Sequence, residues 1–245
     1  MADRWSLEGR TAIVIGAGRG LGEGCAAALA EAGAHVLAVS RTQAEVEDVA
    51  ARIGGTAHVA DATDPGAMAG ILEAAPEATV LVNAAGTNRT GPARDYDLAD
   101  WDFLFDVNVR ATFAASQAFG RALLDREAKG AIVNLSSQMG TVGYPGRVAY
   151  CATKHAVEGM TKALGVEWAP HGIRVNAVAP TFVLTPMTKP MFEDPAFRED
   201  VLRRLPTREL ATIDQVADAV RYLACDASGS VTGTVLRVDG GWTAW

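Results

Sequence analysis

Three side chains have the types and the spacing for proton chemistry: Ser137, Tyr150 and Lys154. Tyr150 and Lys154 are four residues apart where a helix is predicted to begin, so they lie on one helix face. A lysine ammonium beside a phenol stabilises the phenolate and lowers a pKa that is about 10 in isolation. The tyrosine then approaches the neutral range, where a general acid or base works best. Ser137 ends a predicted strand and is placed to hold a substrate oxygen against the tyrosine.

A second motif is a glycine-rich run between a predicted strand and a predicted helix, with glycines at Gly16, Gly18, Gly20 and Gly22. The common dinucleotide pattern G-x-G-x-x-G does not fit, because Leu21 stands where that pattern needs a glycine. The spacing that fits is G-x-x-x-G-x-G. Glycines let the backbone approach a pyrophosphate, and the helix amino terminus offers free N–H groups. The strand before and the helix after indicate a dinucleotide site, and tight packing alone is the alternative.

The end of the second predicted strand bears on which dinucleotide binds. An acidic residue there would bind a free ribose 2′-hydroxyl, whereas arginine accommodates a 2′-phosphate. The strand ends in Ser40 and Arg41, with no carboxylate at its tip, and Arg19 lies inside the glycine run. We therefore predict NADP(H) in preference to NAD(H). The alternative is that both arginines are solvated loop residues.

Short apolar runs alternate with alanine-rich amphipathic stretches, which is the β-α-β pattern of a doubly wound sheet. Several runs are apolar on both faces, as parallel strands buried on both sides are. The predicted strands are Thr11–Ile15, His35–Val39, Thr56–Ala60, Thr79–Val82, Ala131–Leu135, Ile173–Val178 and Thr234–Val238. The predicted helices are Gly20–Ala32, Gln43–Ile53, Pro65–Ala75, Leu98–Arg126, Ala149–Trp168 and Asp214–Cys225.

We therefore predict one α/β domain over residues 1–245, a Rossmann-type doubly wound parallel sheet of seven strands with helices on both faces. Residues 11–95 form mainly the cofactor-binding half. A proline-rich segment, residues 181–212, interrupts the alternation after the sixth strand. It follows the carboxyl edge of the sheet, where open α/β sheets bind ligands, so we interpret it as a substrate loop.

Composition excludes several classes of protein. The 245 residues are 49% hydrophobic and 21% charged, which is typical of a globular chain. The formal net charge of −7 argues against binding to nucleic acid or to an anionic membrane, both of which need a basic face. Three separated cysteines and four scattered histidines give no metal-ligand spacing, so no metal is expected. No apolar run is long enough for a membrane span, and the start lacks a signal-peptide core, so the cytoplasm is the expected compartment.

Nearly the whole chain resembles a classical short-chain dehydrogenase/reductase. The motifs that carry the resemblance occur in the family's order: the glycine pattern, Asp61, the run Asn83-Ala84-Ala85-Gly86, Asn108, Ser137, Tyr150-x-x-x-Lys154 and Pro180. The resemblance implies a catalytic set of Ser137, Tyr150 and Lys154, which Asn108 extends to a tetrad with a water-linked proton relay.

The resemblance also implies how a nicotinamide dinucleotide is held. Lys154 would bind the nicotinamide ribose, Asp61 and Ala62 would meet the adenine, and Val183 and Thr185 the carboxamide. Asn83 would lie near the cofactor, with bracing of adjacent strands as its alternative. The full cofactor-binding set is Gly16, Gly18, Arg19, Gly20, Leu21, Gly22, Ser40, Arg41, Asp61, Ala62, Asn83, Ala84, Gly86, Tyr150, Lys154, Pro180, Thr181, Val183 and Thr185.

These observations favour an NADPH-preferring oxidoreductase that interconverts a ketone and a secondary alcohol on a small polar or cyclic substrate. The predicted substrate pocket consists of Gln138, Met139, Tyr144, Phe182 and Met187. A 3-oxoacyl-[acyl-carrier-protein] reductase is the alternative. Resemblance to that group implies two arginines that dock an acidic carrier, and Ala128 and His171 stand at those positions here, although Lys129 and Arg126 are close by. A regulatory or sensor protein that only binds NADP is the non-enzyme alternative.

The resemblance implies a homotetramer in which two long helices pair across a two-fold axis. The sequence agrees, because Ala111, Ala114, Ala115 and Ala118 give one of these helices a face of small residues. Packing of that face on its own sheet is the alternative. We expect a small carbonyl or alcohol substrate as the other partner, with no nucleic acid and no membrane.

Overall fold

The computed structural model describes residues 3–244 and contains a seven-stranded parallel sheet in the order β3-β2-β1-β4-β5-β6-β7. Residues 1, 2 and 245 of the predicted domain lie outside the described residues. The strands are β1 (Thr11–Ile15), β2 (His35–Ser40), β3 (Thr56–Val59), β4 (Val80–Asn83), β5 (Gly130–Leu135), β6 (Ile173–Pro180) and β7 (Val235–Val238). Every predicted strand is present, with ends shifted by at most two residues.

The strand order reverses between β1 and β4, which pair in parallel from Ala12 opposite Val80 to Ile15 opposite Asn83. The chain builds outward from β1 through β2 to β3, then returns to the centre and builds outward through β7. The loops that follow β1 and β4 therefore separate from each other at the carboxyl edge of the sheet. Such a point of reversal is where doubly wound sheets form a ligand crevice.

Helices cover both faces of the sheet, as predicted. The helices are α1 (Gly20–Glu31), α2 (Gln43–Ile53), α3 (Ala67–Ala74), α4 (Leu98–Phe105), α5 (Ala111–Asp125), α6 (Val148–Trp168), α7 (Pro195–Arg204) and α8 (Ile213–Ala224). Alternate residues of β1 separate the two cores: Val14 packs with α1, α2 and α8, and Ile13 packs with α3, α5 and α6. Burial on both faces explains why the strands are apolar throughout.

The predicted long helix Leu98–Arg126 was wrong as a single regular helix. A π-helical turn, Asp106–Arg110, separates α4 from α5, and the backbone N–H of Ala111 bonds to the carbonyl of Asp106. The extra residue in this turn accompanies an unusual set of bonds from Asn108, described below. Insertions of this kind in a helix are frequent at functional sites. The helix predicted from Pro65 also begins later, at Ala67, because Asp64 forms a turn by accepting from the backbone N–H of Gly66.

The segment 181–212 contains α7 and a small hydrophobic cluster of its own. We call this group the aromatic cluster; its buried members are Met139, Phe182, Val201, Leu205 and Trp242. Phe182 meets Phe192 and Phe197 edge to face, with ring centroids 5.9 and 5.5 Å apart. The segment therefore packs on the carboxyl edge mainly through the aromatic cluster, to which Met139 and Trp242 contribute from outside the segment. Its Val183 and Ala211 join the sheet core that contains α1, α2 and α8.

Within residues 3–244, no helix combines the length and the apolar character that a membrane crossing requires. The same residues contain no group of three or more His, Cys, Asp or Glu side chains arranged to hold a metal ion.

Candidate active site

A cleft of about 420 Å³ opens at the carboxyl edge of the sheet, where β1, β2, β4, β5 and β6 end. The glycine run lines one part of it, and Ser137, Tyr150 and Lys154 line another. Further predicted site residues that line the cleft are Gly16, Gly18, Arg19, Gly20, Leu21, Gly22, Ser40, Arg41, Asp61, Ala62, Ala84, Gly86, Gln138, Met139, Pro180, Thr181, Phe182, Val183, Thr185 and Met187.

The glycine run needs glycine for two different reasons. Gly16 has φ +88°, and a Cβ there would lie 2.5 Å from the backbone nitrogen of Ala85. A Cβ on Gly22 would lie 2.0 Å from the carbonyl oxygen of Gly16, so the loop and the start of α1 press against each other. α1 begins at Gly20 with no side-chain cap, which leaves its first N–H groups pointing into the cleft region with the positive end of the helix dipole.

The segment after β6 closes over this loop. A Cβ on Gly20 would meet the Cβ of Thr185 at 3.5 Å and the ring of Pro186 at 3.7 Å. Thr188 fixes this corner, because its hydroxyl donates to the carbonyl of Val183 at 2.5 Å and accepts from the backbone N–H of Thr185 at 2.9 Å. The predicted substrate loop therefore contacts the dinucleotide loop directly.

Arg19 and Arg41 both line the cleft beside Ser40, and a carboxylate that the sequence analysis missed lies with them. Glu45, in the first turn of α2, is 3.6 Å from the guanidinium of Arg19. A Cβ on Gly18 would lie 2.7 Å from the Ser40 hydroxyl and 3.1 Å from a Glu45 oxygen. No sequence signal marked Glu45, because it is a helix residue and not the residue at the strand tip.

Asp61 follows β3, and hydrogen bonds within its own turn hold its carboxylate. Its carboxylate accepts from the backbone N–H of Thr63 at 2.9 Å and from the Thr63 hydroxyl at 2.7 Å. These two hydrogen bonds, aided by the charge of Arg41, lower the pKa of Asp61. The carboxylate is therefore held in place and ionised at the rim of the cleft.

The Ser–Tyr–Lys set comes from the end of β5 and the start of α6. The Ser137 hydroxyl caps a short 3-10 turn, Gln138–Gly140, by accepting from the backbone N–H of Met139 at 3.2 Å. Lys154 is buried, and its Nζ donates to the carbonyl of Leu135 at 2.7 Å. That bond ties α6 to the end of β5, so Lys154 and Ser137 keep a fixed relation.

The predicted lowering of the tyrosine pKa by Lys154 was wrong for this structure. Burial raises the pKa of Tyr150, and the opposing influences are contact with the Ser137 hydroxyl and the positive charge of Arg147. Lys154 Nζ is 5.7 Å from the centre of the tyrosine ring, and burial lowers the pKa of this lysine to about 8. Desolvation acts on both groups more strongly than their mutual attraction.

Asn108 does not line the cleft but lies directly behind it. Its side-chain oxygen accepts from the backbone N–H of Thr87 at 2.8 Å, and its amide donates to the Thr87 carbonyl at 2.9 Å. The amide also donates to the hydroxyl of Thr153 on α6 at 3.1 Å. A Cβ on Gly86 would lie 3.4 Å from the Asn108 oxygen and 3.7 Å from Lys154 Nζ. Asn108 is therefore joined to the loop after β4 and to α6, with Lys154 nearby.

The side chain of Asn83 does not line the cleft, although Ala84 beside it does, and its place near the cofactor stays a prediction. Its buried amide donates to Asn134 at 2.8 Å and to the hydroxyl of Ser116 at 3.0 Å. Asn134 in turn donates to Thr161 at 3.0 Å. This chain joins β4, β5, α5 and α6, which is the bracing alternative.

Tyr144 does not line the cleft, and its predicted role in the substrate pocket stays a prediction. Its hydroxyl donates to Asp200 at 3.2 Å, and its ring packs in the aromatic cluster against Phe182 and Trp242. Burial raises the pKa of Tyr144, and the neighbouring carboxylate adds to this effect. The sequence could not separate the two sides of this loop, because both are apolar.

Arg147 lines the cleft three residues before Tyr150, and the sequence analysis missed it. It is 5% exposed and lies at the position before the first residue of α6. Its Nη2 donates to the sulfur of Met191 at 2.9 Å, and it has no carboxylate partner within residues 3–244. The spacing from Tyr150, about one helical turn, was the signal available in the sequence.

The basic residues considered for carrier docking lie away from the cleft. Ala128 and Lys129 precede β5, and His171 precedes β6, so all three are at the amino edge of the sheet. They line a separate surface groove together with Glu127. Arg126 folds back onto its own subunit by donating to the carbonyl of Ala78 at 2.8 Å.

The fold and this site define an NAD(P)-dependent oxidoreductase, and comparison with known proteins agrees. A family model described as "Enoyl-(Acyl carrier protein) reductase" matches residues 16–243. The chain belongs to the short-chain dehydrogenase/reductase family. Its relatives are named as dehydrogenases and reductases, and this chain is an NAD(P)-dependent alcohol dehydrogenase or ketone reductase.

Three similar proteins illustrate the family. A galactitol 2-dehydrogenase of Rhizobium johnstonii is 41% identical, over 99% of this chain and 98% of its own length. An L-xylulose reductase of Bos taurus is 40% identical, over 97% of this chain and 98% of its own length. A solved structure of a gluconate 5-dehydrogenase from Burkholderia cenocepacia J2315, in complex with NADP and tartrate, is 32% identical with a TM-score of 0.94, over 99% of this chain and 98% of that one.

Proposed function

We propose that the protein is an NADP(H)-preferring oxidoreductase that interconverts a ketone and a secondary alcohol on a small polar or cyclic substrate. One observation carries the proposal: a single cleft holds the glycine loop with Arg19 and Arg41 at one part and the Ser–Tyr–Lys set at another. The sugar alcohols, ketoses and sugar acid in the names of the relatives support a polar substrate of this size.

The residues present fit a dinucleotide. The loop at Gly16 and Gly22 is packed so closely that any Cβ would collide with backbone, which keeps bare N–H groups facing the cleft. Arg41, with no carboxylate at the end of β2, would meet a 2′-phosphate. Asp61 and Ala62 would meet the adenine, and Val183 and Thr185, beside Pro180 and Thr181, would hold the carboxamide.

In the proposed mechanism the nicotinamide supplies or accepts the hydride when bound. Ser137 holds the carbonyl oxygen, and Tyr150 donates a proton to the developing alkoxide. Lys154 binds the nicotinamide ribose and positions α6 through its bond to Leu135. In the reverse direction Tyr150 takes the proton from the alcohol. Asn108 would hold the water of a relay that returns protons to this set.

The carrier-protein alternative is less well supported. The basic residues closest to the expected docking positions, Lys129 and His171, lie at the edge of the sheet opposite the cleft. The net charge of −7 also slows encounter with an acidic carrier. A sensor that only binds NADP would have no need to keep Ser137, Tyr150 and Lys154 in one cleft.

Initial rates of NADPH and NADH oxidation against a carbonyl panel test the proposal. The panel should contain ketoses, keto sugar acids, cyclic ketones and acetoacetyl carrier protein. We expect turnover of small polar carbonyls with NADPH preferred, and Arg41→Ala should raise the KM for NADPH about ten- to a hundredfold while that for NADH changes little. Equal use of the two cofactors by the wild type would refute the preference. A kcat/KM for acetoacetyl carrier protein well above every small ketone would favour the carrier alternative.

We also propose a homotetramer, a cytoplasmic location and one domain over 1–245, with 11–95 mainly cofactor-binding and 181–212 the substrate loop. Exposed Phe113 on α5 and exposed Val166 on α6 support assembly through these helices. The small-residue face contributes only in part, because Ala111 and Ala115 pack inside the subunit and Ala114 is exposed. Light scattering that gives a monomer mass at micromolar concentration would contradict the tetramer.

A further inference from the structure

Arg147 is a buried cation for which residues 3–244 provide no carboxylate partner. Charged side chains are almost never buried without a partner, because an uncompensated charge loses its hydration. Arg147 is 5% exposed, and its guanidinium donates a hydrogen bond to the thioether of Met191, a weak acceptor that carries no charge. Tyr150, Tyr144 and Cys151 are the titratable groups that act on it, and none of them is a carboxylate. Burial raises the pKa of both tyrosines, which keeps them neutral.

The position of Arg147 on the helix adds to this cost. It directly precedes α6, a helix of 21 residues, and the amino end of a helix carries partial positive charge. A cation there is unfavourable for the helix, and its side chain makes no capping bond. Burial moreover lowers the pKa of Arg147, which is the sign of an uncompensated charge. Folding stability therefore does not explain this arginine, whereas an anion entering the cleft would satisfy both the guanidinium and the helix end.

Three further side chains that line the cleft have a buried oxygen for which residues 3–244 provide no hydrogen-bond partner: Asn88, Gln138 and Thr181. Buried polar atoms are normally satisfied, so these three are ready for groups of a ligand. A molecule with several hydroxyl groups would provide hydrogen-bond partners for these atoms. Arg147 would in addition bind one negative charge of that molecule.

We propose that Arg147 binds a carboxylate of the substrate, so that the enzyme acts on hydroxy and keto acids of sugar size in preference to neutral polyols and ketoses. This inference rests on the proposed function and narrows its substrate class. The planar guanidinium fork matches a carboxylate through two parallel hydrogen bonds. A carboxylate fits better than a phosphate, because a dianion calls for several cations. Of the four cations among residues 3–244 that line the cleft, Arg19 and Arg41 belong to the glycine loop and the end of β2, which leaves Arg147 and Lys154.

The test compares keto-aldonates, such as 5-keto-D-gluconate, with their carboxamides, which keep the carbonyl and the size and remove the charge. For the wild type we expect a higher kcat/KM for the acids. Arg147→Gln should lower kcat/KM for the acids about ten- to a hundredfold and leave the amides within about twofold. Arg147→Lys should fall between, because it keeps the charge and loses the fork. Arg204→Gln is the matched control: it removes the same charge from a residue outside the cleft lining, paired with Asp200, and should preserve the acid-to-amide ratio.

Using the ratio of acid to amide cancels any change in the acidity of Tyr150, since that change affects both substrates. Equal loss for acids and amides in Arg147→Gln, or a wild type without preference for acids, would overturn the inference. A preference for sugar phosphates over keto acids that Arg147→Gln abolishes would also overturn it, since the anion would then be a phosphate.

A binding measurement gives a readout apart from turnover. Gluconate should raise the Tm of the wild-type NADPH complex, whereas gluconamide should not, and Arg147→Gln should lose the difference. If gluconate shifts wild type and variant equally, the carboxylate does not bind at Arg147. Failure of the proposed function is distinguishable, because the wild type would then reduce no carbonyl at all; turnover of neutral ketoses without an acid preference removes only this inference.

Discussion

The pair formed by Glu45 and Arg19 makes the predicted cofactor preference open to a sharp test. Their charged atoms are 3.6 Å apart, and Arg19 is well exposed to solvent. At that distance in water two unit charges attract by about 1 kcal/mol, and exposed pairs are worth about that or less. A 2′-phosphate must compete with this carboxylate for Arg19. Glu45→Gln should therefore lower the KM for NADPH up to about fivefold and leave that for NADH within about twofold.

Initial rates at a saturating carbonyl concentration, with each cofactor varied at low and high salt, measure this effect. The gain should shrink at high salt, because exposed charges are screened. Glu47→Gln is the matched control: it makes the same charge change on α2, and Glu47 accepts from Gln43 instead of facing the cleft. Its effect gives the contribution of overall charge, which is subtracted.

The opposite result would be equally informative. If Glu45→Gln weakened NADH and left NADPH unchanged, Glu45 would be acting on a free ribose 2′-hydroxyl, and the prediction of NADP(H) from the end of β2 would be refuted. A change common to both cofactors would mean that Glu45 acts through the glycine loop, which it approaches at Gly18.

Three further predictions concern catalysis, pH and packing. Tyr150→Phe should lower kcat about 10²–10⁴-fold while NADPH still binds. Cofactor fluorescence measures NADPH binding, and single-turnover rates measure the chemical step. Retention of more than about a hundredth of kcat would refute the acid–base role. Burial lowers the pKa of Lys154 from 10.5, its ordinary value, to about 8 in the folded protein, so the unfolded chain binds more protons between these pH values. In urea titrations of the apoprotein, the free energy of unfolding should therefore rise with pH in that window relative to Lys154→Met, by at most about 1.4 kcal/mol per pH unit. If the free energies of wild type and variant changed in parallel with pH, the lowered pKa of Lys154 would be contradicted. Gly120→Ala should lower the free energy of unfolding by about 1–3 kcal/mol, since a Cβ would lie 2.5 Å from the buried ring of Trp168. Gly159→Ala is the control: Gly159 is exposed with open space around it, so this change should raise the free energy of unfolding by up to about 1 kcal/mol. A higher Tm for Gly120→Ala would show that the Trp168 ring moves aside without cost.

The sheet could be predicted from sequence because its signal is local. Each strand is a short apolar run, and burial on both faces leaves that run uninterrupted, as in β1 and β4. The π-helical turn at Asp106–Arg110 could not be predicted, since it accompanies bonds from Asn108 to Thr87, a residue on another element. Helical periodicity continues through the turn and conceals it.

The candidate site likewise contains residues that could be predicted from the sequence and residues that could not. Ser137, Tyr150 and Lys154 were recognised because type and spacing coincide in one stretch of chain. The places of Asn83 and Tyr144 depend on partners elsewhere, Asn134 and Asp200, and proximity in sequence gave no guide to them. The same holds for the burial of Arg147, which arises from the packing of the loop after β6 against α6.

The separate packing of the aromatic cluster bears on how new specificities arise in such a protein. Substitutions at Phe192 or Phe197 alter a small core that is distinct from the two cores flanking the sheet. Their energetic cost therefore stays mostly within the aromatic cluster, which also contains Met139 and Trp242 and contacts Tyr150, because effects of distant, unconnected sites add independently. The two sheet cores and the glycine loop can remain constant while this cluster accumulates changes. Selection can thus explore new carbonyl compounds without first rebuilding the machinery of hydride transfer.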